Sequence, residues 1–62
     1  MNGKRNYKAY IAASKESKAF DCAYGNTSKG AIAVLKRRYQ QNLKDYFVWC
    51  VYIHNNGSEE KI

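Results

Sequence analysis

The chain has 62 residues, with 11 Lys and Arg against 5 Asp and Glu for a net charge of +6, and it joins 45% hydrophobic content to a mean hydropathy of −0.71. That describes one small basic domain, too short for a multi-domain enzyme and marginal as a lone fold because so little of its surface can be buried. The longest uncharged apolar stretch, Tyr46 to Ile53, falls far short of the ~20 residues that span a bilayer, and no basic segment followed by an apolar one opens the chain, so a cytoplasmic protein without membrane contact is expected.

From Met1 to Asn6 the chain is polar and basic, and Lys4 and Arg5 make residues 1–6 a flexible cationic arm. The folded body is expected over residues 7–54. Tyr7 to Ser14 alternates, with Tyr7, Ala9, Ile11 and Ala13 on one side and Lys8, Tyr10, Ala12 and Ser14 on the other, which is the pattern of a half-buried strand. A helix through Tyr7 to Ala19 competes with it, because alanine is a poor strand former. Ser14-Lys15-Glu16-Ser17 reads as a turn, and beyond it Phe20, Cys22 and Tyr24 alternate with Ala19, Asp21 and Ala23, giving a second strand and a hairpin.

Gly25-Asn26-Thr27-Ser28 joins a breaker to good helix caps, so a helix is predicted from about Thr27 to Asn42, or one residue further since Leu43 fits its stripe. Ile32, Leu35, Tyr39 and Leu43 fall within an arc of about 80° on it, flanked by Ala31, and form its core face. Gly25 to Gly30 is glycine-bearing and opens a helix, but Ala31 and Ile32 stand where a phosphate loop needs Lys and Ser or Thr, so an ordinary cap is the reading. Tyr46 to His54 is the strongest strand signal, rich in aromatic and β-branched residues.

The expected fold is therefore α+β, a two-layer β-β-α-β domain whose three-stranded mixed sheet, in order 2-1-3, is covered on one face by the helix. Residues 55–62 are expected to form a flexible polar tail. On the third strand the purely apolar set Phe47, Trp49, Val51 and Ile53 is assigned to the core with Ile11, Phe20 and Cys22. The open face then carries Lys8, Tyr10, Asp21, Tyr46, Val48, Cys50, Tyr52 and His54, aromatic but with polar tips.

Catalytic chemistry is sparse. Cys50 and His54 share a strand face, but four residues at ~3.3 Å each set them ~13 Å apart, too far for a nucleophile and base. Asp21 and Asp45 show no spacing suited to paired acid-base work. Cys22, Cys50 and His54 fall one short of the four ligands usual in a structural zinc site, and two cysteines without a CxxC pair read as reduced, buried thiols. No enzyme activity, metal or cofactor is expected.

Positive charge is more informative. Lys29, Lys36 and Arg37 adjoin on the exposed helix face, Arg38 lies on the far flank near Ala31, and Lys4 and Arg5 add the mobile arm. Such a set suits phosphates or an acidic protein surface, although Lys and Arg are also ordinary residues of a solvated helix. The order of two short strands, then Asn-Thr-Ser-Lys-Gly-Ala-Ile-Ala-Val-Leu-Lys-Arg-Arg-Tyr from Asn26 to Tyr39, then a closing strand, resembles small ββαβ proteins carried by bacteriophages and conjugative elements. The resemblance implies a non-enzymatic accessory protein that acts by binding, and it transfers no site residues.

Two functions follow as expectations. The first is a protein-interaction module, such as an inhibitor of a host protein or nucleoprotein complex or a homodimer, that contacts its partner through Tyr10, Tyr46, Val48, Cys50 and Tyr52. The second is a sequence-tolerant nucleic-acid binder that sets its cationic helix on phosphates and its exposed tyrosines on unpaired bases.

Overall fold

A computed structural model describes residues 6–40 and 43–62. The alternating N-terminal segments form a hairpin, β1 (Tyr7–Ala12) and β2 (Ala19–Gly25), joined by a turn in which the Ser17 N–H donates to the Ser14 carbonyl at 3.2 Å. The competing helix does not form. Helix α1 (Ser28–Arg38) begins where the caps indicate: the Thr27 hydroxyl accepts from the Gly30 N–H at 2.9 Å. It ends at Arg38, with Tyr39 as its C-cap, four residues short of the predicted Asn42, which lies outside the described residues. Leu43 belongs instead to a short 3-10 turn, η1 (Leu43–Asp45), ahead of β3 (Phe47–Ile53).

The sheet order is β2-β1-β3-β4, which keeps the expected 2-1-3 arrangement and adds a strand. That fourth strand, β4 (Glu59–Lys61), pairs antiparallel with Val51–Ile53, so the segment expected to be a flexible tail is part of the sheet. Its turn is built by Asn55, Asn56 and Gly57. The Gly57 N–H donates to the His54 carbonyl, His54 N–H to the Ser58 carbonyl, both at 2.9 Å, and Gly57 takes the positive φ of 91° that a three-residue hairpin loop requires.

All three neighbouring pairs are antiparallel, which corrects the mixed sheet. The crossover through α1 does make β3 run parallel to β2, but β1 lies between them, so no parallel ladder forms. Between Ile11 and Ala12 the β1–β2 register shifts, leaving Phe20 without a direct partner, and its ring meets Tyr39 and Tyr46 at centroid distances of 5.8 and 5.3 Å.

The core lies between sheet and helix and comprises Ala9, Ile11, Ala23, Ala31, Leu35 and Cys50, with Tyr7, Ile32, Val34, Tyr39, Leu43, Tyr46 and Val48 packed around it. This reverses the expected phase of β3. Val48 and Cys50 are the cross-strand neighbours of Ile11 and Ala9, and neighbours across a ladder share a face. Phe47, Trp49 and Val51 therefore point away from the helix, and Cys22, paired with Tyr10, does so too. The reason is register: β1 turns Ala9 and Ile11 to the helix, and their cross-strand partners Cys50 and Val48 must share that face. At the β2–α1 connection the chain is tight, since a Cβ added at Gly25 would stand 2.6 Å from the Ala31 nitrogen.

Candidate functional site

On the uncovered face the register places Lys8 and Tyr10 of β1 beside Tyr24 and Cys22 of β2 and beside Val51 and Trp49 of β3. The side chains order themselves into a row across the sheet. Tyr10 and Trp49 stack with ring centroids 5.2 Å apart and planes at 24°, and Phe47 lies 5.3 Å from Trp49 along the same strand. Lys8 Nζ lies 4.8 Å from the centroid of Tyr10 and 5.2 Å from that of Tyr24, between the two rings. Contact with the Tyr10 hydroxyl, and more weakly with Tyr24, holds the Lys8 ammonium above the usual lysine range against the opposing effect of burial.

β4 frames this row. The Tyr10 hydroxyl donates to the Glu59 carboxylate at 2.8 Å, Lys8 lies 3.9 Å from the same group, and Lys61 Nζ stands 6.0 Å from the centroid of Phe47. Burial first, and Glu59 second, push the Tyr10 phenol above its ordinary value. Ala12 and Val51 are buried beneath this layer, apart from the main core, whereas Tyr24 remains 45% exposed and Tyr10, Phe47 and Trp49 half-buried. The face is thus an aromatic surface with lysines set among its rings.

Of the residues expected at the interface, Tyr10 alone lies on this face. Cys50 is buried in the core and Val48 and Tyr46 pack against it, because the phase of β3 is reversed. Tyr52 lies on the helix side, edge-on to Tyr7 at 5.2 Å and to His54 at 5.0 Å, and His54 bonds Glu60 at 2.8 Å. Asp21, also expected on the open face, joins Tyr39 and Arg38. From the sequence, Phe47 and Trp49 were assigned to the core, and Tyr24 and Lys61 were not placed at the interface. The signal that could have found them is the run of small residues at Ala9, Ala23 and Ala31, which marks where a helix can approach closely.

The cationic helix residues divide. Lys29, Lys36 and Arg37 are exposed, and among the described residues no ion pair involves them. Arg38 is committed within the chain, 3.0 Å from Asp21 and 3.2 Å from the Cys22 carbonyl. Lys36, Arg37 and Arg38 occupy the last turn of α1, where positive charge also stabilises the helix dipole. Lys4 and Arg5 lie outside the described residues.

Cys22 and Cys50 are free thiols on opposite faces of strands separated by β1, about two strand spacings or ~10 Å, too far apart for a disulfide. Burial pushes the Cys50 thiol up, away from the thiolate that nucleophilic or metal chemistry needs. Among the described residues no three or more His, Cys, Asp or Glu side chains gather in a metal-holding group, and no helix is long and apolar enough to cross a membrane. Comparisons of the chain with protein-family models, with curated proteins and with solved structures found no match.

Proposed function

We propose that this chain is a small non-enzymatic binding protein, an accessory protein of the phage or mobile-element type, that docks the uncovered face of its sheet onto an acidic surface of a larger protein. The observation that carries this reading is the row Trp49, Tyr10, Lys8 and Tyr24, extended by Phe47. Aromatic side chains with polar tips are the residues that dominate protein interfaces, and they lose little conformational entropy on binding when already stacked. Lys61 and the chain's net charge of +6 favour an acidic counterpart and a steered approach to it, Lys8 being itself paired with Glu59. The titratable groups support a role without catalysis: the Asp21 carboxylate is engaged by Tyr39, Arg38 and the Cys22 N–H, and the Cys50 thiol is buried.

A nucleic-acid reading is favoured by a different observation, the exposed Lys29, Lys36 and Arg37 on the helix. Base stacking on the sheet supports it less. Tyr10 has Trp49 stacked on it and the Lys8 ammonium over its ring, so a base would have to displace one of them.

Affinity capture with three proteins tests the choice: wild type, Trp49→Lys on the sheet, and Lys36→Glu with Arg37→Glu on the helix. A partner protein retained by wild type and the helix variant, but lost from folded Trp49→Lys, is the expected result. Loss from the helix variant alone, with salt-sensitive binding of a mixed oligonucleotide by wild type, would establish the nucleic-acid reading instead.

A further inference from the structure

The sheet has two edges, and they differ in how they resist another strand. An edge strand presents unpaired N–H and C=O groups at every second residue, a template on which a further chain can pair. β4 is three residues long and reads Glu-Glu-Lys, so shortness and charge both discourage pairing there. β2 is seven residues long, reads Ala-Phe-Asp-Cys-Ala-Tyr-Gly, and holds no Lys, Arg or Pro. Its composition offers little resistance.

At the middle of β2 the geometry supplies what composition does not. The Cys22 N–H donates to Asp21 Oδ1 at 2.8 Å, and the Cys22 carbonyl accepts from Arg38 Nη1 at 3.2 Å. Both backbone groups of Cys22 are thus turned away from β1, toward the free edge, and each is satisfied by a side chain. The two side chains are themselves joined, Arg38 Nη1 to Asp21 Oδ2 at 3.0 Å, and the Tyr39 hydroxyl donates to that same oxygen at 2.5 Å. The result is a clip running from the end of α1 over the strand edge. A ladder needs successive outward groups, and with Cys22 occupied the series through Tyr24 is interrupted at its centre.

We propose that the Asp21–Arg38 clip keeps β2 closed to a second copy of this chain, and that opening it turns this edge into a dimer interface with two β2 strands paired antiparallel about Cys22. The second copy is the occupant because the segment is self-complementary. A two-fold axis through Cys22 sets each Cys22 N–H against the other's carbonyl and places Asp21 opposite Ala23, so no like charges meet across the pair. The interface is separate from the aromatic face, and it stands or falls independently of the function proposed above.

The test is the mass of wild type, Arg38→Ala and Asp21→Ser with Arg38→Ala by size exclusion with light scattering over a wide concentration range. Wild type should stay monomeric, Arg38→Ala should shift toward dimer, and the double variant should dimerise at least ~10-fold more tightly than Arg38→Ala. A thiol-reactive crosslinker should join Cys22 to Cys22 in the variants, and adding Trp49→Lys should leave the dimer intact. Folded variants that remain monomeric, a dimer lost on Trp49→Lys, or a wild type already paired through β2 would each overturn the proposal. Should the double variant fail to fold, Arg38→Ala decides alone, since Arg38 is 47% exposed and lies outside the core.

Discussion

Tyr10 and Trp49 stand opposite each other in the β1–β3 register with their rings stacked at 5.2 Å, and the Tyr10 hydroxyl reaches on to Glu59 of β4. Through these two contacts Tyr10 ties three strands together on the side the helix leaves uncovered. A double-mutant cycle with Tyr10→Leu and Trp49→Leu should return a coupling of about 0.5–1.5 kcal/mol in chemical denaturation, the range for stacked aromatic pairs. A coupling indistinguishable from zero would mean that the two rings act independently.

Gly25 ends β2 directly against the first turn of the helix. A Cβ there would stand 2.6 Å from the Ala31 nitrogen and 3.0 Å from its Cα, and both are backbone atoms. Gly25→Ala should destabilise by about 1–3 kcal/mol, the usual cost of overpacking, visible as a lower denaturation midpoint. An unchanged midpoint would show that helix and strand can part at no cost.

Leu35 is fully buried at the centre of the core. Leu35→Ala should cost about 2–5 kcal/mol, enough to unfold much of a domain this small. A melting temperature within a degree of wild type would contradict the assignment of the helix's inner face.

Stability should fall at both ends of the pH scale through the pair Asp21 and Tyr39. The hydrogen bond from Tyr39 first, then the Cys22 N–H and Arg38, hold the Asp21 carboxyl below the usual carboxylate range. The folded state thus prefers the ionised form, and the stability this contributes is present above that range and is lost as pH falls through the lowered folded value. Tyr39 is raised by its bond to Asp21, so its contribution is complete below the ordinary tyrosine value and is lost as pH rises through the raised one. Melting curves of wild type and Asp21→Asn should differ at neutral pH and converge in acid. A gap that stays constant into strong acid would remove Asp21 as the cause.

Gly57 carries the positive φ that closes the β3–β4 turn. Gly57→Val should cost about 1–3 kcal/mol in backbone strain and act locally, raising amide exchange at Tyr52 and Glu60 more than in α1. Uniform acceleration across the protein would instead make β4 part of the global folding unit.

Local chemistry was enough to read the hairpin turn at Ser14 to Ser17, the Thr27 cap, the helix stripe through Leu35 and the order 2-1-3. Each depends on neighbours a few residues apart or on a connection too long to be anything but a crossover. β4 was missed because Glu-Glu-Lys has poor strand propensity. Asn56-Gly57 carries a hairpin signal, but the strand forms by pairing with Val51–Ile53 rather than by its own preference.

The face of β3 was decided only by the tertiary structure. Both of its alternating sets, Phe47-Trp49-Val51-Ile53 and Val48-Cys50-Tyr52, are apolar or aromatic, so composition could not say which one meets the helix, and a shift by one residue exchanges them all. The choice came from β1, whose Ala9 and Ile11 face α1 and draw Cys50 and Val48 with them. The clip on β2 was equally invisible, since Asp21 and Arg38 lie 17 residues apart and meet only when the end of the helix is brought over the strand's edge. Patterning thus determined which segments fold and in what order, whereas the pairing register of β3 on β1 determined which of its side chains became core and which became surface.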